Sequence, residues 1–361
     1  MTDREYLALL YSHLPFGPKR VNLLISYFGN AKKAWNANEK KLIEVGIANK
    51  SVSEFFKYKE SIKEKGYFEN LLRLGIKFVT INDSDYPENL RGLDGAPLVL
   101  YLRGNLKKSD VNSIAIVGSR KMTSYGREVA YKFASELASV GVTIISGLAL
   151  GIDAVAHKAA LDAGGRCIAV IASGLDRITP VSNYSLAKEI VKSGGAIVSE
   201  LPLGVEIWRS SFPIRNRIVA GLSKGVLVVE GAEKSGTLLT ASSAGDQGKQ
   251  VFAIPGPITS PMSVAPNYLI KNGAKMVTGT NEILEELDLL LRVDSEEIEK
   301  VLPTNKKEAE LLVLLENEPL HLDELARISG LEVSRISASL TVMELKGMVK
   351  NIGNGIYKKI S

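Results

Sequence analysis

The segment WRSSFPIRNR (208–217) sets two rings, Trp208 and Phe212, among three guanidinium groups, Arg209, Arg215 and Arg217. Rings offer nucleobases a stacking face while arginines follow a phosphate backbone, the combination that serves single-stranded nucleic acid. Pro213 suits the first turn of a helix, and Ile214, Ile218 and Leu222 then recur every fourth residue as an apolar stripe. At about 100° per residue, Arg215 and Arg217 fall roughly 200° apart and flank that stripe. A guanidinium leaves water only for a partner. Two partners suit: an external anion, or strand-end acids such as Glu200 and Glu230, the latter with Phe212 buried as core.

Three further stretches carry anion-binding chemistry. In IAIVGSRKMTSYGREVA (114–130) an apolar run ends at Gly118-Ser119, Arg120 follows, and Tyr125-Gly126 leads into a helix. Backbone N–H groups there, beside a helix N-terminus, suit a phosphate. VEGAEKSGTLLTA (229–241) repeats the design, with Lys234 and Ser235 at the helix start. Its Gly231 and Gly236 have P-loop spacing, but Thr237 stands where that motif requires lysine. SGLALGIDAVAHKAAL (146–161) brings Ser146 and Gly147 to another strand end and puts Asp153 and His157 four apart on one helical face. Those two could form an acid–base or metal pair. A metal centre wants three or four ligands, however, and the other histidines, His13 and His321, lie outside this region. A helix cap is the better reading of Asp153. With no nucleophile–base pair standing out and no G-x-G-x-x-G after the first run, binding is expected rather than turnover, with no cofactor and no metal.

The elements that position these residues are legible as texture. SIAIVG, VTIISG, CIAVIA, AIVSE, VLVVE and VFAIP alternate with helical stretches across 106–290. Such continuous apolar strands indicate a doubly wound parallel sheet, whose ligand crevice lies outside the strands' carboxyl ends. The expected architecture is therefore α/β, with a helical domain at 1–66, a Rossmann-like domain with its lead-in at 67–290, an acidic linker at 291–305 and a winged helix at 306–361. The net charge of +5 permits a polyanionic partner, and the single Cys167 suits a reducing cytoplasm. No stretch approaches the ~18 apolar residues of a membrane span. The winged unit holds 8 Lys+Arg against 8 Asp+Glu, so it has no charge surplus for DNA.

In order along the chain, GSRKMTSYG, SGLALGIDAVAHKAAL, SGLD, FPIRNRIVAGLS, VVEGAEKSGTLLTA and NYLIKNGA resemble the DNA-processing protein A (Smf) family over residues ~70–290. LPFGPKRVNLLISYFG resembles its sterile-alpha-motif-like or helix-hairpin-helix segment, and the C-terminal unit its winged helix. The resemblance implies a homodimer that binds single-stranded DNA in a basic pocket and helps load RecA recombinase in natural transformation. It implies that Gly118, Ser119 and Arg120 line the pocket, that Arg209 and Phe212 take the family's basic and base-stacking positions, and that Arg215, Arg217 and Lys234 extend the rim. Two segments depart from the family pattern: Thr179 and Val181 flank Pro180, and Ala265-Pro266 precede Asn267. The competing reading is a nucleotide-hydrolysing or nucleotide-sensing Rossmann protein carrying a DNA-binding winged helix. It lacks the double glycine and following glutamate such enzymes place around Gly-Thr.

Overall fold

The computed structural model describes residues 1–289, apart from 206 and 209, and residues 306–359, apart from 317, 332, 346, 347 and 354. Six helices come first: α1 (Asp3–Ser12), α2 (Gly17–Phe28), α3 (Ala31–Trp35), α4 (Glu39–Glu44), α5 (Asn49–Ser61) and α6 (Glu64–Arg73). Thr2 opens α1 through a reciprocal capping box with Glu5. Leu9, Leu24, Trp35 and Phe55 are fully buried and join the core that reaches the sheet.

The sheet begins with β1 (Lys77–Thr80) and β2 (Val99–Gly104), an antiparallel pair. Then strands and helices alternate: β3 (Ser113–Val117), α7 (Ser124–Ser139), β4 (Thr143–Ser146), α8 (Ile152–Asp162), β5 (Cys167–Val170), α9 (Tyr184–Lys192) and β6 (Ala196–Ser199). The series continues with α10 (Ser211–Leu222), β7 (Gly225–Val228), α11 (Gly236–Asp246), β8 (Gln250–Ala253), α12 (Val264–Lys271), β9 (Lys275–Met276) and α13 (Asn281–Glu286). The nine strands lie in the order β1-β2-β6-β5-β4-β3-β7-β8-β9. From β6 to β9 every pairing is parallel, while β2 runs antiparallel to β6.

All six apolar runs become strands because both faces of each are covered. In β3, Ile114 and Ile116 enter the core shared with α7 and α8, while Ala115 and Val117 enter the opposite core with α10 and α11. After β3 the chain winds one way as far as β6. Helix α10 then carries it back to β7 on the other side of β3. Strand order therefore reverses between β3 and β7, the place where doubly wound sheets open a crevice. The apolar stripe of α10 is shorter than its spacing suggests. Ile218 and Leu222 are buried, but Ile214, in the first turn of α10, is 44% exposed.

Residues 1–289 form one compact unit and 290–361 another. In the second, α14 (Lys306–Leu314), β10 (Leu320–His321), α15 (Leu322–Ser329), α16 (Val333–Leu345), β11 (Val349–Asn351) and β12 (Ile356–Lys359) make a winged helix. Gly330 ends α15 in the left-handed conformation, and β10 adds a third strand to the β11–β12 ribbon. Leu311, Leu325, Ile336, Leu340 and Met343 are its core. No helix among the described residues is long and apolar enough to cross a membrane.

Candidate nucleic-acid interface

Each strand end at the switch point is shaped by a glycine or an acid. Beyond β3, a Cβ on Gly118 would stand 2.5 Å from Ile152, so glycine here lets α8 start against the loop. Ser119 ties the turn together. Its hydroxyl accepts the Lys121 N–H at 3.0 Å, and its carbonyl accepts the Ile152 N–H at 3.2 Å. Arg120 is exposed, and its guanidinium lies 4.7 Å above the Phe212 ring.

The phosphate expected at the start of α7 meets an occupant instead. The Glu230 carboxylate, from the end of β7, accepts the Thr123 N–H at 2.9 Å and the Thr123 hydroxyl at 2.5 Å. It supplies the negative charge that a helix N-terminus favours. Gly126 leaves room for it, since a Cβ there would fall 2.1 Å from Glu230 Oε2. Glu230 is therefore a helix cap and not a partner of the arginines.

After β4 the buried Ser146 hydroxyl donates to the Ile116 carbonyl at 2.7 Å, a tie between strands. Asp153 caps the loop that follows, accepting the Gly147 N–H at 3.1 Å and the Ala149 N–H at 3.4 Å. Leu148 between them is buried with φ 55°, a costly conformation for a residue with a Cβ. Asn183 holds it, donating to the carbonyls of Leu148 and Ala149 at 2.9 and 3.1 Å. Asn183 belongs to the segment whose Thr179 and Val181 depart from the family pattern, and its loop-holding role was not read from the sequence.

Helix α10 sends its two arginines to different places. Arg215, 7% exposed, donates to the Val170 carbonyl at 3.2 Å and lies 4.0 Å from Asp153. A Cβ on Gly147 would sit 1.2 Å from its Nη1, so the guanidinium fills the space that this glycine leaves. Its Nε has no hydrogen-bond partner among the described residues. Burial pushes the Asp153 carboxyl up and the Arg215 guanidinium down, each opposed by the other's charge. Arg217 points away and pairs with Glu200, Nη2 to Oε2 at 2.5 Å. Beyond β7, Lys234 is exposed, and Ser235 caps α11, accepting the Thr237 N–H at 3.3 Å.

These walls enclose a cleft of about 510 Å³ at the switch point. Gly118, Ser119, Arg120, Phe212, Arg215, Lys234 and Ser235 line it together with Thr237 and with Lys121 and Asn216, two residues that no sequence motif singled out. Gly147 lines a smaller recess of about 110 Å³ that shares Arg120, Phe212 and Arg215. Ser146 and Arg217 line neither, and Arg209 lies outside the described residues. Asp153 is the only acid lining the cleft among the described residues, against Arg120, Lys121, Arg215 and Lys234. His157 stands one turn behind Asp153, fully buried, and burial and then the Arg215 charge push its pKa down to about 3.

A doubly wound sheet with a cationic, ring-bearing cleft at its switch point, joined to a winged helix, defines a Rossmann-type polyanion binder. The comparisons agree and go further. The family model for DNA recombination-mediator protein A matches residues 77–288, and that for the DprA winged helix domain matches 299–355. The chain belongs to the DNA recombination-mediator protein A family. Protein Smf of Escherichia coli is 43% identical over 279 residues, covering 76% of this chain and 75% of its own. The X-ray structure of DNA processing protein A from Streptococcus pneumoniae aligns with TM-score 0.67 at 33% identity, over 79% of this chain and 98% of that one. DNA processing protein A from Helicobacter pylori, described in terms of its single-stranded DNA binding mode, aligns with TM-score 0.53 at 29% identity, over 59% of this chain and 96% of that one.

Proposed function

We propose that this recombination mediator binds single-stranded DNA across the switch-point cleft, works as a homodimer, and hands the strand to a RecA recombinase in the cytoplasm during natural transformation. One observation carries the DNA-binding part: Arg120 stacks on Phe212 at a cleft whose other cations are Lys121, Arg215 and Lys234. A base stacked on Phe212 would take up the ring face that Arg120 now covers, freeing that guanidinium for the adjoining phosphate. Lys234 and Ser235, at the start of α11, suit a neighbouring phosphate. Gly118, Ser119 and Gly147 act by shaping the cleft wall: Gly118 admits Ile152, Ser119 ties the turn, and Gly147 admits the Arg215 guanidinium. The reading is of a binder and not an enzyme, since Asp153 is held by two amides and by Arg215 and His157 stays neutral behind it. The division into 1–66, 67–290, 291–305 and 306–361 belongs to the same proposal.

A mobility-shift comparison of single-stranded with duplex oligonucleotides across a salt series tests the DNA-binding part. Preference for single strands with little sequence selectivity is expected. Equal affinity for duplex with strong selectivity contradicts it and favours a winged-helix regulator. Ultracentrifugation over a concentration series tests the dimer, which a strict monomer at micromolar levels would exclude.

A further inference from the structure

Arginines two positions apart on a helix point to opposite sides of it. Arg215 reaches into the cleft; Arg217 reaches the other way, and its partners come from three separate parts of the chain. Its Nη2 holds both oxygens of Glu200, at the end of β6, and its Nη1 donates to the Gly95 carbonyl. Glu200 is itself buried and accepts a second charge-assisted hydrogen bond from the Tyr11 hydroxyl, in the last turn of α1. Tyr11 is buried too, and Gln247 at the end of α11 donates to the Arg217 carbonyl at 2.9 Å.

We propose that Tyr11, Glu200 and Arg217 form a latch through which the N-terminal helices set the rotation of α10, and with it the placement of Phe212 and Arg215 in the cleft. The inference rests on the single-strand reading of that cleft. It makes Tyr11, some 200 residues away in sequence, a positioning residue for nucleic acid that it never touches. The geometry gives the reason. Helix α10 is gripped from the cleft side by Arg215 near Asp153 and from the far side by Arg217 on Glu200. Loosening either grip lets the helix turn about its axis, and a ring five residues from Arg217 moves with it. Glu200 is the hub, because a carboxylate shielded from water at a strand end is fixed by the sheet while its two partners ride on helices. Charge-assisted hydrogen bonds are short and directional, so the three groups specify one rotation of α10 and do not merely attract.

Tryptophan fluorescence reads that rotation without any added label. Trp208, at the turn into α10, is 56% exposed, whereas Trp35 is 1% exposed, so acrylamide quenching reports almost entirely on Trp208. The experiment compares the full-length protein with Tyr11→Phe, Glu200→Gln and Arg217→Gln. Tyr11→Phe is expected to weaken binding of an oligo-dT probe by about three- to tenfold, a part of what one lost hydrogen bond to a charge is worth, since Tyr11 acts on the strand only through α10. The salt slope of binding should stay at the wild-type value, because no phosphate contact is lost. Trp208 quenching should change even without DNA, and Glu200→Gln, which leaves Arg217 without its counter-charge, should change both readouts more than Tyr11→Phe. Melting curves confirm that each variant folds. Unchanged Trp208 quenching and unchanged oligo-dT affinity in a folded Tyr11→Phe protein overturn the latch, as does a salt slope lowered by Arg217→Gln, which would make Arg217 a phosphate contact. Failure of wild-type protein to bind oligo-dT would defeat the single-strand reading instead, and the DNA-free quenching arm still decides whether the latch sets α10.

Discussion

Asp153 and Glu230 take up backbone amides at two of the three loops that the sequence offers to phosphate. The Asp153 contacts are local, as its reading as a cap expects, but the role of Glu230 cannot be read from spacing, since it lies 107 residues from the Thr123 that it caps. The proposed single strand would then meet side chains, chiefly Arg120 and Lys234, and the α11 start. His157, one turn behind Asp153 and within reach of the Arg215 charge, gives a pH signature. Among the described residues neither ring nitrogen has a well-formed hydrogen bond, and its pKa falls to about 3 against 6.5 for an ordinary histidine. Between those values the unfolded chain binds a proton that the folded chain refuses. Stability therefore rises with pH through this window and is lost as pH falls below 6.5. Going from pH 7 to 5 should cost roughly 2 kcal/mol from this group. Calorimetry at both values on wild type and His157→Gln checks it. The variant should lose less stability on acidification, and an equal loss would place the titration elsewhere, on His13 for instance, whose pKa burial lowers to about 4.

The strands and helices differ in how far the sequence discloses them. Six of the seven parallel strands announce themselves as continuous apolar runs because helices cover both of their faces. β9, two residues at the sheet edge, leaves no comparable run, and β10 is equally short. The loop between β4 and α8 is harder still. SGLALG reads as a glycine turn, yet its geometry depends on Leu148 in a left-handed conformation, clamped from outside by Asn183. Nothing local encodes that clamp. Asn183→Ala is expected to cost about 1–3 kcal/mol, since two carbonyls lose their donor. It should also weaken single-strand binding without changing the salt slope, as the loop behind Arg215 shifts. Melting and binding measurements on one preparation decide the point, and full affinity in a destabilised protein would detach this loop from the cleft.

For the whole molecule, the two compact units divide the charge unevenly. The C-terminal 56 residues carry equal numbers of acidic and basic side chains, so the surplus lies elsewhere. The order of the domains was legible because helix, turn, helix and ribbon follow one another at 306–361. How the N-terminal helices join the sheet was not, since Tyr11 and Glu200 meet across 189 residues. A chain ending at residue 289, the limit of the first compact unit, should fold cooperatively and keep most of its affinity for single strands. Loss of binding in a folded truncation would move the DNA site to the winged helix.

The central claim is that the switch-point cleft is the single-strand site, and the salt dependence of oligo-dT binding by wild type, Arg120→Ala and Phe212→Ala tests it most directly. Removing Arg120 should weaken binding and flatten the log–log salt slope by about 0.7, the value for one phosphate contact on a single strand. Removing Phe212 should cost about 1–3 kcal/mol of stacking while leaving that slope nearly unchanged. Wild-type affinity and slope in both variants, each shown to be folded, would contradict the account.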